Sequence, residues 1–379
     1  MPTSFSPTGP LAVVPASALT DLISLLHREG YQVVGPTIRD GYLTLAELSS
    51  AAELPQGWTT DTEAGVFRLR PRQDAAFFGF NLGQESWKKF LYPAGLPIVQ
   101  AVREQDAISF RAYPQQIPAY ALLGVRACEV AALDVLDRSL GQGQVSDPDY
   151  VARRQQALII VVNCTEADAS CFCASLGTGP AVSGNFDLAL TELLDGDAPV
   201  FLIQAGSPAG ERLLAALPGQ PATAVQVEQA RLAITAAAQV QSRSLEVSGL
   251  PGLLYDRSEH PHWQNIAARC LGCGNCALVC PTCFCFRMKE ETDLANTTAT
   301  RWREWEVCLN LDHSYIHGGW IRPSIRSRYR QWLTHKLAAW LDQFGCLGCT
   351  GCGRCLVWCP AAIDLTAELR ALRQNPPQE

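Results

Sequence analysis

Twelve of the sixteen cysteines fall between Cys270 and Cys359, and eight of those fall in a repeated pattern. CLGCGNCALVCP places Cys270, Cys273, Cys276 and Cys280 at gaps of two, two and three residues before Pro281. CTGCGRCLVWCP repeats the spacing with Cys349, Cys352, Cys355 and Cys359 before Pro360. Three thiolates two residues apart wrap one [4Fe–4S] cube. Small residues such as Gly272, Gly274, Gly351 and Gly353 let the loop turn tightly and bring backbone N–H groups near the sulfurs. In chains with two such runs the fourth cysteine ligates the other cube. The spacing therefore predicts one cube on Cys270, Cys273, Cys276 and Cys359, and a second on Cys349, Cys352, Cys355 and Cys280. Tetrahedral zinc leaves the third cysteine, the three-residue gap and the prolines unexplained. Disulfides between cysteines two residues apart are geometrically poor.

With 379 residues, 47% of them hydrophobic and 18% charged, the chain has the length for two or three domains and the composition of a packed protein. A formal charge of -7 gives no electrostatic reason to expect a nucleic-acid partner. No segment approaches the ~18 consecutive apolar residues that cross a bilayer, and ALIIVV at 157–162 is strand-sized. The opening MPTSFSPTGPLAVVPASAL has no Lys or Arg ahead of its mildly apolar stretch, which argues against a secretory signal. A cytoplasmic protein with no membrane partner is expected, in a reducing compartment where clustered cysteines bind metal more often than they pair.

Ahead of the cysteine runs, strand and helix patterns alternate. Ser17 is placed to cap a helix through ALTDLISLLHRE that ends at Gly30, and YQVVGPTI and YLTL flank an Asp40-Gly41 turn, the signature of a β-hairpin. ISFRAY (108–113), AYALLGV (119–125) and QALIIVVN (156–163) read as strands, with a helix over CEVAALDVLDRSL (128–140) before the last. That β-α-β order favours parallel strands joined by a right-handed crossover. A helix through EQARLAITAAAQVQ (228–241), then a segment with Gly and Pro, sets a boundary near residue 250. The expectation is an α/β domain over 1–250, with a mixed or parallel sheet, followed by a mainly α-helical, ferredoxin-like domain with two clusters over 251–379.

Seven of the nine tryptophans lie from Trp263 to Trp358, which reads first as core packing in the second domain. Arg322, Arg326, Arg328, Arg330 and Lys336 form a basic run with no acid between them. Such runs are usually solvated faces; a docking surface, or compensation for anionic cofactors nearby, are the other readings.

Cys128 follows the strand AYALLGV and Cys164 follows QALIIVVN, with Cys171 and Cys173 in the loop beyond. Parallel strands end on one sheet edge, where α/β proteins build their sites. The expectation is a third [4Fe–4S] cluster on Cys128, Cys164, Cys171 and Cys173, against the alternative of ordinary buried thiols. Cys283, Cys285, Cys308 and Cys346 match no ligand pattern and read as thiols packed around the cubes. GTGPAVSG at 177–184 is not G-x-G-x-x-G and no phosphate loop is present, so no nicotinamide site is expected in this chain. The six histidines, His313, His317 and His335 among them, show no ligand spacing and read as structural. No catalytic residue is assigned.

The run from CLGCGNCALVCPTCFCF through RWREWEVC, HGGWIRP, HKLAAW and CTGCGRCLVWCPAAIDL resembles the dicluster ferredoxin subunits typified by the beta subunit of cytosolic sulfhydrogenases (group 3 [NiFe] hydrogenases) and by the ferredoxin-type subunit of anaerobic sulfite reductase. SWKKFLYP (86–93), GVRACEVAALDVLD (124–137) and NCTEADASCFCASLGTGP (163–180) are similar to that family's other blocks. One departure is visible: Ala127, Cys128 and Glu129 stand where the family usually has Pro-Cys-Asp. The resemblance implies an electron-transfer subunit without a complete catalytic site. It would relay electrons between the small and large subunits of a [NiFe] hydrogenase and a flavin and NAD(P)H-binding subunit. The alternative it implies is the ferredoxin-type subunit of anaerobic sulfite reductase, feeding a sirohaem subunit.

Overall fold

The computed structural model describes residues 5, 7, 9–81, 83–105, 107–142, 145–194 and 198–374. In chain order its strands are β1 (Leu11–Pro15), β2 (Gln32–Arg39), β3 (Tyr42–Glu47), β4 (Trp58–Glu63), β5 (Val66–Pro71), β6 (Gly95–Glu104), β7 (Ala107–Ala112), β8 (Tyr120–Val125), β9 (Leu158–Val162), β10 (Leu188–Leu193), β11 (Val200–Ala205), β12 (Gln220–Pro221), β13 (Phe286–Thr292) and β14 (Thr298–Trp305). Unbroken apolar runs are what strands covered on both faces require. LIIVV in β9 and LALTEL in β10 are buried at every position. They lie inside an eight-stranded sheet ordered β12-β1-β11-β10-β9-β8-β2-β3. Its centre, β10 to β9 to β8 to β2, is parallel. Antiparallel neighbours, β11 beside β10 and β3 beside β2, make the whole sheet mixed.

The expected hairpin is present: β2 and β3 pair from Val34↔Glu47 to Arg39↔Tyr42. Asp40 and Gly41 turn between them with φ of 50° and 78°, the left-handed pair that a two-residue turn needs. The first helix runs over Ala18–Arg28, and Leu19, Leu22, Ile23 and Leu26 bury its i, i+3, i+4, i+7 stripe against one face of the sheet. Ser17 does not cap it. Its backbone is already helical and its hydroxyl makes no capping bond, so burial of the apolar stripe fixes the start of this helix. On the opposite face, the helix Ala127–Leu136 contributes Val130, Leu133 and Leu136 to a core shared with Trp87 and Tyr150.

A second sheet, β13-β14-β6-β7, is antiparallel throughout. It takes two strands from 95–112 and two from 286–305, so the stretch between the cysteine runs contributes strands as well as helices. Around the runs, Leu250, Trp263, Ile266, Trp332, Leu333, Leu337, Leu356 and Leu365 form a third core. The basic run is not one uniform solvated face. Arg326 and Arg330 pair with Glu259, Arg328 is buried against the carbonyls of Arg322 and Pro323, and Lys336 is sealed inside. Among the described residues no helix is long and apolar enough to cross a membrane.

One buried ion pair joins the sheet edge to the second cysteine run. Arg354 donates from Nη2 to Glu129 Oε1 at 2.7 Å, with side-chain exposures of 3% and 1%. Its Nε donates to the Gly83 carbonyl at 3.1 Å. Truncating one partner leaves the other charge buried and unpaired, a loss of roughly 3–5 kcal/mol. Glu129→Ala is therefore expected to lower the urea midpoint of the anaerobically loaded protein strongly, and the double change Glu129→Leu with Arg354→Met to recover most of the loss. Additive losses in the double variant would show that the two groups do not act as a pair.

Candidate functional site

Both cysteine runs follow the same backbone path. Gly272 and Gly274 have φ of 64° and 78° before the one-turn helix Asn275–Leu278, and Gly351 and Gly353 have 66° and 74° before Arg354–Val357. Three of these positions also need the absence of a side chain. A Cβ at Gly274 would lie 2.6 Å from a Val307 methyl, one at Gly351 2.6 Å from the Cys173 nitrogen, and one at Gly353 2.4 Å from the Ser170 carbonyl oxygen. The two short helices pack on each other, which brings the end of each run to the start of the other.

Cys270, Cys273 and Cys276 share a cavity with Cys359, the partner that crossed ligation predicts, and with Cys355. Leu309, Tyr329, Trp332, Ile363 and Leu365 line the rest. Backbone N–H groups point at two of the sulfurs: Gly272 donates to Cys270 Sγ at 3.4 Å and Ile363 to Cys359 Sγ at 3.3 Å. Cys280 lies apart from its own run, in the electrostatic range of Cys349, Cys352 and Cys355. Burial pushes the Cys349 thiol up to about 12 and holds those of Cys276 and Cys355 far above their usual range, with neighbouring sulfurs adding to the effect. Iron has to displace those protons. An apolar pocket of thiols, left-handed glycines and N–H groups aimed at sulfur is the donor set a [4Fe–4S] cube takes. Among the described residues no three His, Cys, Asp or Glu side chains stand close enough to hold a single metal ion.

The N-terminal four also converge. Cys128 follows β8 and Cys164 follows β9, and the parallel register carries both to one sheet edge. Cys128, Cys164, Cys171 and Cys173 line one cavity, and Gly351 and Cys352 of the second run close it. Each of three sulfurs meets a donor from a different element: Gln241 Nε2 to Cys173 at 3.3 Å, Asn81 Nδ2 to Cys171 at 3.6 Å, and Arg126 Nη1 to Cys164 at 3.9 Å. The hairpin β4-β5 lies beside it, with Thr60 donating to Asp168 at 2.8 Å and Thr62 hydrogen-bonded to Ser170 at 2.9 Å. Sequence reading found neither the hairpin nor the donors, because single amides far apart in the chain carry no spacing signal.

The four remaining cysteines are not equivalent. Cys283 hydrogen-bonds to Cys280. Cys285 accepts from the Cys308 thiol and lies against His313, a residue the sequence left as structural. The donated hydrogen bond from Cys308, then His313, hold the Cys285 thiol far below its usual range; the bond to Cys285 raises Cys308 and His313.

Residues 269–363 match the family described as a 4Fe-4S dicluster domain. The chain is 32% identical over 259 residues to the sulfhydrogenase 2 subunit beta of Pyrococcus furiosus, an alignment covering 68% of this chain and 75% of that protein. This chain belongs to the sulfhydrogenase beta-subunit family. It is an iron–sulfur, electron-transfer member of that family, with [4Fe–4S] clusters in its dicluster region. A serine palmitoyltransferase from S. paucimobilis aligns with 59% of this chain and 57% of its own at 13% identity, but its TM-score of 0.17 carries no argument.

Within this sulfhydrogenase relative, Cys285 makes a test of the side-chain geometry. A depressed pKa means that thiolate is present well below the usual thiol titration, so alkylation by iodoacetamide should reach its plateau at lower pH than for a free cysteine. Cys308→Ala removes the donor and should move the plateau upward. Peptide-resolved labelling across a pH series checks both, and an unmoved plateau in the variant would discard the pair.

Proposed function

We propose that this chain is the electron relay of a heteromeric, hydrogenase-type oxidoreductase, holding three [4Fe–4S] clusters in line. Cys128, Cys164, Cys171 and Cys173 hold the first; Cys349, Cys352, Cys355 and Cys280 hold the middle one; Cys270, Cys273, Cys276 and Cys359 hold the last. One observation carries the reading: the second run touches both neighbours. Cys352 lines the cavity of the N-terminal four, and Cys355 lines that of the first run. When bound, a [4Fe–4S] cluster takes up and releases single electrons. The chain's own residues hold the sulfurs, exclude water with Leu309, Tyr329 and Trp332, and orient the N-terminal thiols through Gln241, Asn81 and Arg126.

The labour divides near residue 250, with one cluster in 1–250 and two in 251–379. Cys273 and Leu271 are exposed, so the last set reaches the surface where a partner protein can approach. The partners proposed are a flavin and NAD(P)H-binding subunit on one side and the small and large subunits of a [NiFe] hydrogenase on the other, in the cytoplasm.

Anaerobically loaded protein should contain about twelve iron atoms per chain, four for each cube, with matching acid-labile sulfide. Cys128→Ser should lower the count to about eight, and Cys352→Ser should remove the middle cluster and stop electron flow between the partner subunits. A wild-type count of about eight would remove the N-terminal cluster, and zinc with negligible sulfide would remove all three. Co-purification with a nickel-containing large subunit decides for the hydrogenase, and with a sirohaem protein for sulfite reductase.

A further inference from the structure

Two lysines are sealed inside the protein away from any carboxylate. Lys336 is 5% exposed and Lys88 3%. The charged groups that dominate their surroundings are each other and cysteine sulfurs. A buried ammonium needs a matching anion and saturated hydrogen bonds. Lys336 spends all three N–H groups: on Cys280 Sγ at 3.1 Å, Thr282 Oγ1 at 2.9 Å and the Gly348 carbonyl at 2.8 Å. Thr282 gives its own proton to the same Gly348 carbonyl at 2.7 Å, which leaves its oxygen free to accept from the lysine. Lys88 Nζ donates to the carbonyls of Cys280 at 3.1 Å and Cys283 at 2.9 Å, and lies 4.0 Å over the Trp305 ring. Both ammonium groups therefore close on the loop that carries Cys280, one at its sulfur and one at its backbone.

The backbone is arranged to deliver Lys336. The helix Ile325–Thr334 widens into a π turn at His335–Ala339, a rare distortion that collects at functional positions. The Gly348 N–H binds the Lys336 carbonyl at 2.8 Å while the Gly348 carbonyl takes the side chain. Charge at the other two cysteine sets is more distant or already paired: Arg328 acts on Cys270 while its donors go to the Arg322 and Pro323 carbonyls, and Arg354, which lines the N-terminal cavity, pairs with Glu129. Among the described residues only backbone N–H groups donate to Cys270 and Cys359. Around the N-terminal set, Arg126 stands 3.9 Å from Cys164, but Glu129 and Asp168 act on the same sulfur with the opposite sign.

We propose that Lys336, with Lys88 behind it, is a positioning residue that makes the cluster on Cys280, Cys349, Cys352 and Cys355 the most readily reduced centre of this chain. The inference rests on the cluster assignment proposed above. Adding an electron makes a thiolate-bound cluster more negative, and a fixed positive charge with an N–H···S bond favours that state. The central position in the line would then hold the electron between its two neighbours.

The test is a redox titration followed by electron paramagnetic resonance on the full, anaerobically loaded chain, with the middle centre identified as the signal lost in Cys349→Ser. Lys336→Met keeps the length of the side chain and removes its charge and donors. Its middle centre should lose at least tenfold in reduction equilibrium, ~59 mV for one electron, with iron content unchanged and the other centres unmoved. Lys88→Met, which leaves the Lys336 bond to the Cys280 sulfur intact, should shift the same centre by a smaller amount in the same direction. Full iron with an unmoved midpoint in both variants overturns the inference, as does a wild-type middle centre that is the last to be reduced. If Lys336→Met fails to retain iron, Lys88→Met decides alone by the same criterion. Wild-type iron below about eight per chain overturns the cluster assignment itself, and the inference with it.

Discussion

A thiolate removed from water has to be met by positive charge, and that requirement organises this molecule. Burial is the largest cause raising the thiols of Cys128, Cys171, Cys276 and Cys355, so as a bare protein these groups stay protonated. Under the proposed ligation iron would reverse the balance by supplying the charge, and the protein supplies what iron does not. Backbone N–H groups meet Cys270 and Cys359, side-chain amides meet Cys171 and Cys173, and an ammonium meets Cys280. The buried Arg354, by contrast, is already matched by Glu129. It joins two parts of the chain and also lies against Cys352, where it opposes the effect of burial on that thiol.

That joining is close to a covalent constraint in its geometry. Gly351 and Gly353 approach the backbone of 170–173 more tightly than any side chain allows, and the Phe172 N–H donates to the Gly351 carbonyl at 3.0 Å. The hairpin β4-β5 clamps the junction from outside: the Gly65 N–H donates to the Leu356 carbonyl at 3.0 Å, and Phe67 stacks on Trp358 with centroids 5.2 Å apart. The dicluster segment is therefore seated on the sheet edge, not tethered to it. Fixed separations follow from such seating, and short fixed separations are what transfer between one-electron centres requires.

The sequence was legible where chemistry repeats at fixed spacing or where burial imposes a period. Both cysteine runs, the Asp40-Gly41 hairpin and the buried strands β8 and β9 follow from local pattern alone, and the parallel order of β8 and β9 explains why Cys128 and Cys164 reach one edge. What escaped was non-local. Strand β14 pairs with β6, Thr298 opposite Val102, far away in the chain, so a stretch that reads as helical and tryptophan-rich also completes a sheet. Ser17 has the residue type of a cap but not the backbone angle for one. The basic run illustrates the same limit: its charges look alike in sequence, yet of the five, two pair with Glu259, one is buried against carbonyls, one is buried against Cys280 and Arg322 stays part-exposed.

Repetition explains how such a chain obtains two cluster sites, but an exact repeat would make the sites alike. Here the two runs share spacing, glycine conformations and short helices, and so present the same cage of backbone. Their surroundings come from elements outside the repeat. Lys88 comes from the helix Lys88–Leu91 before β6, and Lys336 from the π turn ahead of the second run. Trp332 and Tyr329, one and two turns earlier on the same helical stretch, face the other cavity instead. A single helix thus turns an apolar face to one set of sulfurs and a charge to the next. The repeated cage fixes which atoms can be held, and the unrepeated helix makes the two places electrostatically unequal.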